Sequence, residues 1–133
     1  ATDFSELVLA KAREGTYSDL EINRGLDPGL KQKYFRPLQG RWSISQDCRR
    51  LVEFRQFNLI GTWPPMPACD IVFLRNVMLY FDASTRGALV RRVARVMRPD
   101  GSLLLGGAET LIGIDTGWQR LTSGGSSYYR PQR

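Results

Sequence analysis

Arg75 and Asn76 stand side by side between two apolar runs, 71–74 (IVFL) and 77–81 (VMLYF), with Tyr80 four residues beyond Asn76. A guanidinium offers a rigid fork of N–H donors that fits a carboxylate or a phosphate. An amide and a phenol beside it can orient whatever the arginine holds. Far earlier, Asp3 lies just before Ser5 and the run 6–14 (ELVLAKARE). An acidic residue at a strand's end, one turn before a helix, is where nucleotide-binding α/β folds hold a ribose. The plainer reading is that Asp3 favours the helix N-terminus through its dipole, by ~0.3–1 kcal/mol. The 133 residues contain no histidine. That removes Ser–His–Asp and Cys–His catalysis and most zinc sites. Cys48 and Cys69 have neither metal-ligand nor redox spacing, so no metal site is expected.

These residues need elements to hold them. The run 71–74 is continuous rather than alternating, which predicts a buried strand covered on both faces, as in a parallel α/β sheet. Ligands in such sheets sit beyond the carboxyl ends of the strands, where Arg75, Asn76 and Tyr80 fall. Residues 1–4 read as the end of a strand. Ser5 is an N-cap for a helix over 6–14 that stops at Gly15. Pro28 opens a short helix to about Phe35. Residues 42–45 and 51–57 alternate apolar and polar, which predicts a small antiparallel piece grafted onto the parallel sheet. Residues 61–69 (GTWPPMPAC) hold three of the seven prolines and are a loop.

Asp82 or Ser84 caps a helix to about Arg98, with Leu89, Val93, Val96 and Met97 at helical spacing. Arg91, Arg92, Arg95 and Arg98 make a basic face of the kind that is ordinarily solvated. Pro99-Asp100-Gly101 turns into a buried strand at 102–105. Residues 118–122 and 126–130 flank Ser123-Gly124-Gly125 as a hairpin. Strands alternating with helices indicate an α/β, doubly wound sheet. The length allows one domain with a real core. The net charge of +6 favours acidic partners without choosing among them. No apolar run reaches the length of a membrane span, so membrane insertion is not expected.

Several segments then carry a family in order: Ala1-Thr2-Asp3, Ala10-Lys11-Ala12-Arg13 with Gly15 and Tyr17, Lys33-Tyr34-Phe35, Val52-Glu53-Phe54, Asn58-Leu59, Asp70-Ile71-Val72-Phe73, Arg75-Asn76-Val77-Met78-Leu79-Tyr80-Phe81-Asp82 and Arg98-Pro99-Asp100-Gly101. Together they resemble the CheR-type chemotaxis-receptor glutamate O-methyltransferases, most specifically at RNVMLYFD. The resemblance implies a Rossmann-like class I methyltransferase fold with a small antiparallel β-subdomain inserted at about 36–57 and a C-terminal β-hairpin. It implies S-adenosylmethionine as methyl donor, with S-adenosylhomocysteine as product. By the same resemblance Asp3 binds the cofactor ribose, Asn58 and Leu59 line the adenine side, and Arg75 and Asn76 lie at the cofactor edge. Arg75 and Tyr80 are the catalytic candidates, Arg75 orienting the substrate carboxylate and Tyr80 positioning the methyl. The implied partner is a chemoreceptor cytoplasmic domain or a related signalling protein, in the cytoplasm.

Three departures qualify the likeness. The family's first strand and Gly-rich cofactor loop would precede Asp3. Residues 1–133 therefore read as the C-terminal part of a methyltransferase domain, partial and inactive as a fragment, with an open sheet edge able to self-associate. A Gly-His-Ser-Glu-like segment of the family stands as Gly106-Gly107-Ala108-Glu109, without the histidine. The insert's tip, 36–41 (RPLQGR), is short for docking on a receptor's C-terminal peptide. Two other readings are a non-catalytic, methyltransferase-like binding module and a nucleic-acid methyltransferase. The arginine balance suits the latter, but the Asp/Asn-Pro-Pro-aromatic segment usual in amino-methylating enzymes of that kind is absent after Arg75, so no nucleic acid is expected.

Overall fold

Ser5 begins the first helix as its side chain allows. Its hydroxyl accepts the Val8 N–H, and the helix ends at Gly15 in the left-handed region (φ +66°) that glycine enters without a Cβ clash. The computed structural model describes residues 1–132. Their contacts divide them into two units, Ala1–Asn58 and the remainder from Leu59 onward.

The first unit opens with β1 (Thr2–Asp3) and α1 (Glu6–Glu14), followed by β2 (Thr16–Tyr17) and the short α2 (Asp19–Ile22). Ser18 and Glu21 close a reciprocal capping box at the start of α2. Asp27 then accepts the Gly29 and Leu30 N–H groups, with Pro28 as the first residue of α3 (Pro28–Tyr34). Strands β3 (Phe35–Leu38) and β4 (Arg41–Ile44) form a hairpin, and β2 joins the free side of β4. The hairpin turn is Gln39–Gly40, both at positive φ, so the segment expected as the insert's tip is a two-residue turn between strands.

One expectation fails here. Residues 51–57 do not form a strand of the antiparallel piece. Ser45 caps a helical turn, α4 (Gln46–Arg49), and the Leu51 and Val52 N–H groups still donate back to Cys48 and Arg49. Their N–H groups are therefore unavailable for a ladder, and Leu51 is left exposed. Only β5 (Arg55–Gln56) is extended, and it pairs in parallel with β1, Thr2 opposite Arg55 and Asp3 opposite Gln56. Alternation of side-chain types in LVEFRQF reported polarity, not backbone pairing.

The second unit contains β6 (Cys69–Leu74), a 3-10 turn (Met78–Tyr80), α5 (Ala83–Val96), β7 (Met97–Leu105), β8 (Trp118–Ser123) and β9 (Ser126–Pro131). The sheet order is β6-β7-β9-β8, with β6 and β7 parallel and the other pairs antiparallel. This is the parallel β-α-β step with a terminal antiparallel hairpin of a mixed α/β, Rossmann-like architecture. Asp82 caps α5 by accepting the Thr85 N–H, which also holds its carboxyl below the ordinary value. Leu89, Val90 and Val93 of α5 pack on Leu74, Met97 and Leu103 of the strands, with Trp118 and Tyr129 from the hairpin.

β6 is not covered on both faces. Leu74 is 6% exposed, whereas Ile71 and Phe73, on the alternate face, are 58% and 68% exposed. β6 is an edge strand, and the buried cluster draws on Leu74, with Val72 packed against it. An apolar run shows that both faces are apolar, not that both are covered. The basic face of α5 also departs from simple solvation. Arg92 donates to the Leu59 carbonyl at 3.2 Å and to the Gly61 carbonyl, and stacks 4.5 Å from the Trp63 ring centre. Arg91 pairs with Asp115 at 3.2 Å, and Arg98, just beyond the helix, pairs with Asp70 at 2.9 Å. These arginines bind their own unit.

Candidate functional site

Leu74 and Leu105 are in register, so β6 and β7 end side by side at their carboxyl ends. Beyond Leu74 the chain turns sharply at Asn76, which sits at φ +59°. Asparagine tolerates that left-handed conformation better than most residues because its short amide can bond locally. The 3-10 turn then leads to the Asp82 cap. Arg75 and Asn76 are both exposed on this turn.

The turn is held by a carboxylate from the segment after β7. Glu109 Oε1 accepts the Val77 and Met78 N–H groups at 3.0 and 2.8 Å. Its Oε2 accepts the Asn76 and Gly106 N–H groups at 2.7 and 2.8 Å. Burial pushes the Glu109 carboxyl up, but the N–H groups of Asn76, Gly106, Met78 and Val77 together hold it below its ordinary 4.5. Gly106 is buried against this contact. A Cβ there would lie 2.7 Å from Glu109 Oε2 and 2.9 Å from the Asn76 nitrogen.

A cavity of about 620 Å³ opens beside the turn, with Phe73 and Leu104 as apolar wall and Arg75, Arg120 and Ser127 as polar wall. Arg120 donates from Nε and Nη2 to Ser127 Oγ at 3.2 and 2.9 Å. The Tyr129 and Thr110 hydroxyls, also on the cavity wall, are 3.2 Å apart. Among the described residues, neither Arg75 nor Arg120 has a carboxylate within ion-pair distance. The Glu109 carboxylate lies on the same wall but is held by main-chain N–H groups, so the two guanidinium groups have no ion-pair partner there, an arrangement suited to an acidic group entering from outside.

Arg75 and Asn76, neighbours in sequence, stand on the turn just beyond the carboxyl end of β6. Tyr80 lies on the 3-10 turn, 84% exposed, and is not among the residues lining the cavity. Leu59 packs its side chain against the core of the second unit. Its carbonyl accepts the Trp63 indole N–H at 2.9 Å as well as Arg92. Asp3 and Asn58 belong to the first unit. Asp3 is half-buried, and its Oδ1 accepts the Ser5 N–H at 2.8 Å, so one oxygen serves the start of α1 as the plainer reading had it. Its Oδ2 accepts no hydrogen bond among the described residues. Glu109 and Arg120 were not anticipated as site residues. The sequence signal for Glu109 was its place at the end of Gly106-Gly107-Ala108-Glu109, the segment matched to a Gly-His-Ser-Glu-like stretch of the family.

Residues 1–125 match the model of the CheR methyltransferase, SAM binding domain family. Chemotaxis protein methyltransferase Cher2 of Pseudomonas putida is 39% identical over 120 residues, which cover 90% of this chain and 44% of that protein. Chemotaxis protein methyltransferase 1 of Pseudomonas aeruginosa is 35% identical over 131 residues, 98% of this chain and 48% of the relative. The chemotaxis protein methyltransferase of Escherichia coli is 34% identical over 134 aligned residues, 97% and 46%. The chain spans about half the length of these relatives. Among the described residues no helix is long and apolar enough to cross a membrane.

Proposed function

The chain belongs to the CheR methyltransferase family, and from that premise we propose that the complete gene product methylates glutamate side chains of a chemoreceptor cytoplasmic domain, or of a related signalling protein, in the cytoplasm. S-adenosylmethionine, when bound, supplies a methyl group on a sulfonium that leaves as a neutral thioether. Within each unit the residues assigned to that group have the chemistry it asks for. Asp3 retains Oδ2 as an acceptor for a ribose hydroxyl. Asn58 and Leu59 are assigned to the adenine side, and Asn76 to the cofactor edge beside Arg75.

The chemistry asks little of side-chain bases. A glutamate carboxylate is ionised near neutral pH, so no proton has to be removed before its oxygen attacks the methyl carbon. A chain without histidine is adequate for that. What the protein must do is hold the acceptor oxygen in line and keep water away. Arg75 is assigned to grip the carboxylate through two N–H donors, leaving one oxygen lone pair directed at the methyl. Tyr80 is assigned to flank the methyl from the 3-10 turn, where it is exposed.

The single observation that carries this reading is Arg75 itself. It stands at the carboxyl end of a parallel strand, on a cavity wall, with no carboxylate partner among the described residues. Arg75→Ala in the complete protein is expected to lower methyl transfer to a receptor cytoplasmic fragment at least 100-fold. Unchanged turnover would refute the assignment.

A further inference from the structure

Three consecutive main-chain N–H groups, at Asn76, Val77 and Met78, converge on one point together with the N–H of Gly106. Such a concavity of amides is an anion-binding nest. Here its anion is internal, the carboxylate of Glu109. Each oxygen takes two N–H groups, so the acceptor capacity of the carboxylate is filled by main chain.

We propose that Glu109 is a positioning residue for the methyl transfer assigned above. It fixes the turn that presents Arg75 and Asn76, and by occupying the nest it leaves the acceptor carboxylate only the arginine side of the cavity. The inference rests on the proposed function for its reaction, and on geometry for its clamp.

Two features make the clamp more than a loop contact. Asn76 adopts a left-handed conformation that L residues seldom take, and both Arg75 and Asn76 are exposed, so packing does not secure them. Bonds from the N–H groups of Asn76, Val77 and Met78 to Glu109 supply what packing omits. Gly106 is the matching half of the device, because any side chain there would strike both Glu109 Oε2 and the Asn76 nitrogen. The charged groups lining cavities against Glu109 are Arg75, Arg86 and Arg120. None of them bonds its carboxylate, which remains committed to the main chain.

The test uses the complete gene product with a receptor cytoplasmic fragment as acceptor and S-adenosylhomocysteine as binding probe. Glu109→Gln keeps the shape but turns an NH2 group toward two N–H donors. Gly106→Ala pushes on the clamp from the other side. Both are expected to lower kcat at least tenfold and to weaken S-adenosylhomocysteine binding by a smaller factor, since Asn76 on the same turn is assigned to the cofactor edge. Val93→Ala, in the buried core away from the cavity, controls for lost stability and should keep kcat within twofold. Turnover retained by Glu109→Gln, or lost equally in Val93→Ala, would overturn the proposal.

The clamp can also be read in the unmutated protein, should the variants not fold. The amide proton shifts of residues 76, 77, 78 and 106 should titrate together, with one midpoint below pH 4.5. Four independent responses, or none, would overturn the clamp. An unmutated protein that neither binds S-adenosylhomocysteine nor transfers methyl would refute the assigned reaction instead, while the amide titration would still decide the clamp.

Discussion

At the scale of single residues, the contrast between Arg75 and Glu109 defines the site. Arg75 is exposed and unneutralised, and Glu109 has its oxygens saturated by main-chain donors. Arg75→Lys should keep the charge but lose the planar fork, giving turnover between that of the unmutated protein and Arg75→Ala. Steady-state kinetics on the two variants checks this, and equal losses in both would mean that the fork is irrelevant. Glu109 also sets a pH dependence. Its folded pKa lies below its unfolded value of 4.5, because the N–H groups of Asn76, Gly106, Met78 and Val77 outweigh burial. Its contribution to stability is therefore complete above the unfolded pKa and is lost as pH falls through the folded one. Melting temperatures between pH 3 and 6 should fall less steeply on acidification in Glu109→Gln than in the unmutated protein. Arg75 and Asn76 were legible in sequence because a polar pair after an apolar run marks a strand's end. Glu109 was not, because its partners are backbone N–H groups that carry no residue identity.

At the scale of elements, local chemistry was the most readable part. Ser5, Asp82, Pro28 and the Gly124-Gly125 turn all do what their side chains allow. Gly124 sits at φ +56° with open space where a Cβ would go, so Gly124→Ala should cost only the backbone term, about 1 kcal/mol. Chemical denaturation measures it. Leu103, fully buried in β7 beneath α5, should behave differently, with Leu103→Ala costing about 2–5 kcal/mol through lost burial and a cavity. A ranking of the two the other way round would mean that the β-α-β core is packed otherwise. At Ile71, Phe73 and residues 51–57 side-chain polarity does not say which neighbours arrive. Coverage and pairing are tertiary facts, and β5 finds its partner more than fifty residues away in β1.

At the scale of the whole molecule, the sequence named the family through eight separated segments, and the match over residues 1–125 agrees. The net charge of +6 says only that acidic partners are favoured. Much of the arginine on and beside α5 is paired inside its own unit, which weakens any basic stripe for nucleic acid. RNA binding should accordingly be weak at physiological salt, and a steep fall of a tight affinity with salt concentration would speak for the nucleic-acid reading. The central claim is that this chain supplies binding and positioning groups for an adenosyl methyl donor. Calorimetric titration of the complete gene product with S-adenosylhomocysteine tests it most directly, with Asp3→Ala alongside. One-to-one binding is expected, weakened about tenfold by Asp3→Ala, a loss of ~1.4 kcal/mol. No binding, or binding that Asp3→Ala leaves untouched, would contradict the assignment of the ribose to Asp3 and with it the reading of this chain as the cofactor-holding part of a methyltransferase.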